Sequence, residues 1–292
     1  MQKATVYFTK DITPEGLQKV YRALGVELPG KVAVKISTGE PGGHNFLQPA
    51  LIAPLVQAIG GTIVESNTAY AGRRDTNEAH WQTFKDHGFA AIAPCDLMDE
   101  EGELILPVDG GVRIRENIVG SHLKNYQSML VLSHFKGHPM AGLGGALKNM
   151  SIGIASSRGK AWIHTSGSGD TSMNAIMTAD QDSFLDAMAD ADQSVMAYMG
   201  RENIVYINVA NRLSVDCDCC AEPAEPEMMD IGIFASLDPV AVDQACVDAV
   251  YASPDPGKAA LIERMESLNG VHTIETAAQM GLGSRAYELV EI

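Results

Sequence analysis

Residues 128–149 read SMLVLSHFKGHPMAGLGGALKN, and this stretch decides the fold class. It opens with an apolar run that is typical of a buried strand, and a glycine-rich turn then leads into a helix-forming segment. The same order occurs upstream, where strands are predicted over residues 31–36 (KVAVKI) and 62–65 (TIVE), with helices near residues 48–59 and 77–87. Strands that alternate with helices predict an α/β fold with a mainly parallel sheet and helices on both faces.

The second half of the chain continues this pattern. A helix is predicted over residues 182–199, and strands over residues 204–209 and 231–235. A further helix begins in SLDPVAVDQACVDAV, where Asp238 is a suitable N-cap and Pro239 suits the first helical position. The chain shows no long linker, low-complexity tract or internal repeat, which favours one continuous unit with room for a small subdomain.

Composition narrows the class of protein. We predict a single α/β domain over residues 1–292, because 46% apolar and 20% charged residues are typical of a globular chain. The net charge of −16 argues against nucleic acid or an anionic membrane surface as partners. No apolar run reaches the roughly eighteen residues of a membrane span. The N-terminal MQKATVYFTKDITPEG lacks the apolar core of a signal peptide, so a cytoplasmic location is expected.

The acidic residues are unevenly distributed. Residues 117–169, a stretch of 53, contain no Asp or Glu, although the average of 37 acids in 292 residues predicts about seven there. This acid-free window predicts a positive pocket that concentrates a small anionic ligand. Burial alone would explain missing acids in the apolar strand, but it would not explain the cations. We interpret Arg158 and Lys160 as solvated charges. The basic residues and histidines of the window are Lys124, Lys136, Lys148, Arg158, Lys160, His122, His134, His138 and His164.

The segment SHFKGHP follows the apolar strand directly. Gly137 and Pro139 disfavour a helix, so His134, Lys136 and His138 should alternate onto one face of an extended chain. In open parallel sheets, ligands lie beyond the carboxyl ends of the strands. Two imidazoles and an amine on one face suit acid–base catalysis, metal ligation or anion binding. We therefore predict catalytic roles for these three residues, with a purely structural role as the alternative.

The glycine-rich turn is the second part of the predicted site. Gly142, Gly144 and Gly145 allow close approach of a ligand to the backbone, and the following helix should present free N–H groups. Lys148 falls in the first helical turn, where a cation is unfavourable unless an anion compensates it. We predict a catalytic role for Lys148, and cofactor or substrate binding by the three glycines and His164. The spacing matches no nucleotide-binding fingerprint, and a tight packed turn is the alternative.

Three cysteines are crowded into residues 216–220 (DCDCC). In an extended segment Cys217 and Cys219 would point to the same side, and thiolates favour zinc, iron or an iron–sulfur cluster. The most economical metal site combines Cys217 and Cys219 with His134 and His138. The alternative is a structured loop with reduced, unligated thiols.

Several of these motifs together resemble the domain-of-unknown-function family 362. The resemblance is carried by SHFKGHPMAGLGGALKNMSIGIASSRGK, DCDC and DIGIFASLDPVAVDQACVDAVY, and it extends to GEPGGHNF, ESNTAYAGRR and GLGSRAYEL. Many relatives carry a ferredoxin-like insert with cysteine-rich motifs after the position of His164. This chain has TSGSGDTSMNA there, without cysteine, so no ferredoxin-type cluster is expected. The resemblance implies no particular reaction.

Three functions compete at this point. The leading hypothesis is an enzyme, metal-dependent or not, that acts on a small anionic metabolite, with Glu65 and Asp243 as further candidate general bases. The second is a non-catalytic redox or metal-handling accessory, related to iron–sulfur proteins, that passes metal or electrons to a redox partner protein. The third is an anion sensor without turnover.

Overall fold

A large sheet forms the centre of the computed structural model, which describes residues 3–292. The first two residues of the N-terminal segment quoted above lie outside that range. The strands are β1 (Ala4–Thr9), β2 (Val32–Lys35), β3 (Thr62–Glu65), β4 (Cys95–Leu97), β5 (Glu103–Pro107), β6 (Glu116–Gly120), β7 (Ser128–His134), β8 (Lys136–His138), β9 (Gly142–Gly144), β10 (Ile204–Ala210), β11 (Gly232–Ser236) and β12 (Tyr287–Glu291).

Eight of these strands form the main sheet in the order β12-β1-β11-β10-β7-β2-β3-β4. All neighbouring pairs are parallel except the two that β11 makes with β1 and β10. The prediction of a mainly parallel sheet is therefore confirmed. Two small antiparallel sheets, β5–β6 and β8–β9, lie outside it.

Helices cover both faces of the main sheet, as predicted. Leu17, Ile52 and Phe84 belong to the apolar core on one face, whereas Leu147 and Val242 belong to the core on the other. Within residues 3–292 no helix combines the length and hydrophobicity needed to cross a bilayer. The helices are α1 (Pro14–Ala23), α2 (Pro49–Ala58), α3 (Asn77–Asp86), α4 (Phe89–Ile92), α5 (Ala146–Ser151), α6 (Ser157–His164), α7 (Met173–Met177), α8 (Gln181–Met199), α9 (Pro239–Ala252), α10 (Lys258–Ser267) and α11 (His272–Gln279).

The local signals of the sequence account for several of these elements. The strand TIVE is β3, and the apolar run SMLVLS lies in β7, which is buried along its whole length. The predicted start of α9 is also confirmed, because the Asp238 side chain accepts the N–H of Ala241 and Pro239 opens the helix. The glycine-rich turn predicts a helix near residues 145–155, whereas α5 is shorter and ends at Ser151. Glycine is required just after the end of this helix, at Gly153. A Cβ there would lie too close to its neighbours, at 2.1 Å from the Asn149 carbonyl oxygen and 2.6 Å from Lys35 Cε.

The order of the strands determines where a ligand can bind. From β2 the chain proceeds outward to β3 and β4, and it then returns to add β7 and β10 on the other side of β2. The direction of winding therefore reverses between β2 and β7. In open α/β sheets, the crevice beyond the carboxyl ends of the strands at such a switch point is the usual ligand site.

Candidate functional site: a cation-lined cavity

A cavity of about 330 Å³ lies at this switch point. Its walls include Lys35 from β2, Glu65 from β3 and His134 from β7, together with residues of β8, α5, α6 and the loop after β10. Asn149 of α5 holds the two central strands together at this edge, because its Nδ2 donates to the carbonyl oxygens of Lys35 (3.0 Å) and Leu132 (3.3 Å). A volume of this size suits a small metabolite.

Most of the residues singled out by the sequence meet in this cavity. Gly142 does not: it pairs with His138 in the β8–β9 sheet, and its φ of 75° is a conformation that favours glycine. The roles assigned to the remaining residues stay predictions. The predicted residues that line the cavity are Glu65, His134, Lys136, His138, Gly144, Gly145, Lys148, His164, Cys217 and Cys219.

Both ring nitrogens of His134 lie within hydrogen-bond distance of other protein groups. Its Nδ1 lies 2.8 Å from Asp218 Oδ1, and its Nε2 lies 2.6 Å from the carbonyl oxygen of Asn211. Lys136 Nζ donates to the other oxygen of Asp218 at 2.8 Å. Burial alone would raise the pKa of Asp218, but His134 and Lys136 hold that pKa well below its usual range. Both ring nitrogens of His134 face acceptors, so this arrangement leaves no lone pair for the predicted metal ion or for base catalysis.

His138 and His164 differ in which ring nitrogen carries the hydrogen. His138 Nδ1 accepts the N–H groups of Met140 and Ala141, each at 3.0 Å, so the neutral ring carries its hydrogen on Nε2. His164 Nδ1 lies 2.6 Å from the carbonyl oxygen of Lys160, so its hydrogen is on Nδ1 and Nε2 keeps a lone pair. Burial, aided by nearby lysines, lowers the pKa of His138 well below 6.5 and that of His164 to about 4. One neutral imidazole therefore offers a donor and the other an acceptor.

The lysines of the cavity differ in their ion-pair and hydrogen-bond partners. Lys35 is paired with Glu65 at 2.8 Å, and Lys160 donates to the carbonyl oxygen of Ala155 at 2.6 Å. Within residues 3–292, Lys148 Nζ has neither a hydrogen-bond acceptor nor a carboxylate partner. Burial, together with Lys136 and Lys160, lowers the pKa of Lys148 to about 7. The interpretation of Lys160 as a solvated charge is wrong, since its side chain is buried and lines the cavity, and burial lowers its pKa to about 8.

Apart from Glu65, sequence reasoning missed a second group of charges on the β2–β3 side. Arg74 Nε contacts Glu40 at 2.9 Å, and its Nη1 contacts Glu65 at 3.3 Å. Burial alone would raise the pKa of Glu65, but Lys35 and Arg74 hold it at about 2, so this carboxylate is a poor general base. The available signal was Lys35 itself, a charged residue in an otherwise apolar strand. Arg74 carried no comparable signal.

Asp243, the other candidate base, has a structural role. Its carboxylate accepts the N–H groups of Ala146 (2.7 Å) and Leu147 (3.0 Å), so it caps α5 from outside the cavity. A Cβ on Gly145 would lie 2.4 Å from Asp243 Oδ1, which explains the glycine at this position. Two of the expected free N–H groups at the start of this helix are therefore already used. Lys148 lies on the helix that Asp243 positions.

The cysteine loop forms another wall of the cavity. One ligand atom each from His138, Cys217 and Cys219 lie within 4.8 Å of one another, and this group hints at metal binding without indicating which metal. The expectation of reduced thiols is not met, because Cys217 and Cys219 are joined by a disulfide. Disulfide sulfurs lack the negative charge of metal-binding thiolates, and His138 Nε2 carries a hydrogen. As they stand, the three residues do not fit a metal ion; reduction of the disulfide would have to come first.

The fold and this cavity together define an α/β protein with a candidate ligand site at the switch point of a mainly parallel sheet. The sequence model of the family described as "Domain of unknown function (DUF362)" matches residues 32–248, and the chain belongs to this family. No curated protein matches the chain.

Two solved structures are partly similar to the chain. The lactate racemase apoprotein from Thermoanaerobacterium thermosaccharolyticum is 13% identical with a TM-score of 0.47, and the match covers 84% of this chain and 56% of that one. A structural-genomics target from Thermotoga maritima is 14% identical with a TM-score of 0.42, covering 91% and 58%. The chain thus spans little more than half the length of these two proteins.

Proposed function

We propose that the protein is an enzyme that acts on a small anionic metabolite bound in the cavity. The observation that carries this proposal is Lys148, whose Nζ has no acceptor or carboxylate partner among residues 3–292. Lys148 is partly buried, and a cation without a counter-ion is costly in such a place, because burial removes hydration that nothing replaces. Lys160 adds to this imbalance, since it is held only by backbone carbonyl oxygens. A bound carboxylate or phosphate would supply the missing negative charge.

The two histidines favour an enzyme over a sensor. His138 offers a hydrogen from Nε2, and His164 offers a lone pair on Nε2, both in the cavity that holds Lys148. Groups whose surroundings give them different proton roles are what acid–base chemistry requires. A site that only binds an anion would need the charges but not this pair.

Anion binding tests the proposal. Thermal denaturation and calorimetry with inorganic phosphate, acetate and succinate should identify at least one ligand, and saturation at a hundred times its Kd would stabilise the protein by about 2.7 kcal/mol. Affinity should fall as the pH rises through about 7 to 8, where Lys148 and Lys160 lose their protons. Lys148→Met should weaken binding at least tenfold, the effect of about 1.4 kcal/mol.

Arg158→Met is the matched control, because Arg158 is a cation of the same acid-free window that is exposed and paired with Glu103. Its anion affinity should equal that of the unchanged protein. The proposal fails if none of the three anions binds, or if Lys148→Met and Arg158→Met bind equally well.

A metal-handling or redox accessory is the second candidate, favoured by the proximity of His138, Cys217 and Cys219. We propose a cytoplasmic location, where the Cys217–Cys219 disulfide would be kept reduced. Anaerobically reduced protein titrated with zinc or ferrous iron should then bind one ion per chain, and Cys217→Ser should lose it. Cys95→Ser is the control, because Cys95 is not part of this group. Equal metal content in oxidised and reduced protein would exclude this candidate.

A further inference from the structure

We infer that Lys148 forms an imine with the carbonyl carbon of a small oxo acid, a carboxylate that also carries a ketone or aldehyde. This inference rests on the proposed anion binding and deepens it by naming the substrate class and the bond that forms. The four lysines that line the cavity differ in their partners, and the sequence does not reveal this difference.

Lys148 is the odd one among the lysines that line the cavity. Lys35 and Lys136 form ion pairs with Glu65 and Asp218, each at 2.8 Å. Lys160 is fixed by backbone carbonyl oxygens. In the part of the chain that the structure describes, only Lys148 among the four has a terminal nitrogen without such a partner. A nitrogen that donates no hydrogen bond and forms no ion pair is free to approach a ligand atom.

The surroundings also favour the neutral form of this amine. A lysine attacks a carbonyl only through its unprotonated nitrogen, and burial near other cations is a known way to populate that form. Burial and the ammonium groups of Lys136 and Lys160 lower the pKa of Lys148 to about 7, so the amine is well populated at neutral pH. The pKa of Lys160 is lowered less, to about 8. Lys160 therefore remains mostly charged and suits the substrate carboxylate.

The histidines supply what the bond-forming step needs. The nitrogen lone pair of Lys148 forms a bond to the carbonyl carbon, while Nε2–H of His138 donates a hydrogen bond to the carbonyl oxygen. His164 Nε2 accepts a proton from the attacking nitrogen and returns it to that oxygen. Both amine hydrogens end on the oxygen, the carbon–oxygen bond breaks, and water leaves. The step is a condensation, so it needs neither oxidant nor reductant.

Borohydride trapping tests the inference directly. The protein is incubated with pyruvate, the smallest 2-oxo acid with a ketone, and the imine is reduced with sodium cyanoborohydride. Intact mass should show a single lactyl-sized addition, and peptide mapping should place it on Lys148. Lysines of ordinary pKa are amine to only about one part in a thousand at neutral pH, so labelling elsewhere should be at least tenfold lower. Trapping should fall as the pH drops below about 7.

Two variants separate the possible outcomes. Lys148→Arg keeps a cation for anion binding but cannot form an imine, so it should bind pyruvate in calorimetry and give no adduct. Lys124→Arg replaces an exposed lysine of the acid-free window and should label like the unchanged protein. If pyruvate binds but the adduct is absent or spread over exposed lysines, the imine inference is wrong and the proposed anion site stands. If pyruvate, phosphate, acetate and succinate all fail to bind, the proposed function itself is wrong.

Discussion

Two groups of cations line the same cavity and differ in how their charge is balanced. Lys35 and Arg74 form what we call the paired group with Glu40 and Glu65. Lys148 and Lys160 form the open group with His138 and His164, and no carboxylate within residues 3–292 forms an ion pair with either lysine. Both groups lie beyond the carboxyl ends of the central strands, so their location alone does not explain the difference.

The difference separates stability from function. A buried ion pair is self-contained, and its removal damages the fold because the surviving partner is left buried and uncompensated. An uncompensated group lowers stability until a ligand arrives, and sites of this kind commonly exchange stability for activity. We therefore expect substitutions in the paired group to destabilise the protein and substitutions in the open group to stabilise it while abolishing ligand binding.

The largest expected effect comes from breaking the paired group. Glu65→Gln leaves Lys35 and Arg74 without their shared carboxylate and should reduce the free energy of unfolding by about 3–5 kcal/mol. The change is measured by chemical denaturation at pH 7. Because the pKa of Glu65 is about 2 in the folded protein and 4.5 normally, its contribution is present above pH 4.5 and is lost as the pH falls toward 2. The variant should lose less stability than the unchanged protein over that interval.

Glu291→Gln is the control for this substitution, because the Lys10–Glu291 pair is exposed and 3.8 Å long. Such pairs contribute at most about 1 kcal/mol. Similar losses in the two variants would mean that the paired group does not stabilise the fold.

A carboxylate outside the cavity should also affect the open group. Asp243→Ala removes the acceptor of the Ala146 and Leu147 N–H groups, and a buried donor left without a partner costs about 1–3 kcal/mol. Because α5 carries Lys148, anion affinity should fall together with stability. Denaturation and calorimetry on the same preparation measure both. A loss of stability with unchanged affinity would show that the position of Lys148 does not depend on this cap.

The open group itself should respond with the opposite sign. Lys148→Met removes an uncompensated cation and should raise the free energy of unfolding by about 1–2 kcal/mol. The pKa of Lys148 is lowered from 10.5 to about 7, so the cost of its charge is complete below pH 7 and declines as the pH rises toward 10.5. The gain should therefore be larger at pH 6 than at pH 8. A destabilised variant at pH 6 would show that Lys148 is compensated in solution.

The sequence predicts the paired and open groups unequally well. All four residues of the open group fall within the acid-free window, where short-range patterns such as SHFKGHP place His138 beside the strand that supports it. Arg74 and Glu40 lie in loops, and only the fold brings them to Glu65. A local sequence pattern also cannot predict which histidine ring nitrogens are already engaged by other residues. His134 loses both ring nitrogens to Asn211 and Asp218, which are 77 and 84 positions away along the chain.

The fold shows the same limit. Strands β2, β3 and β7 were predicted because continuous apolar runs are typical of strands buried on both faces. Strands β1 and β12 were not predicted. They pair with each other from opposite ends of the chain, and β12 is partly or fully exposed along its length, so neither apolar periodicity nor proximity in sequence indicates their pairing.

The smallest expected effect separates charge from burial within the acid-free window. Arg158 belongs to that window, as Lys148 and Lys160 do, but it is exposed and paired with Glu103. Glu103→Gln should change the free energy of unfolding by less than about 1 kcal/mol, because solvent already screens this pair. Anion affinity should not change, since Glu103 does not line the cavity. A stronger effect on binding would mean that the positive charge of the whole window attracts the ligand. No effect would assign that attraction to Lys148 and Lys160, the two cavity lysines without a carboxylate partner within residues 3–292. The count of missing acids cannot distinguish these two lysines from the exposed arginine.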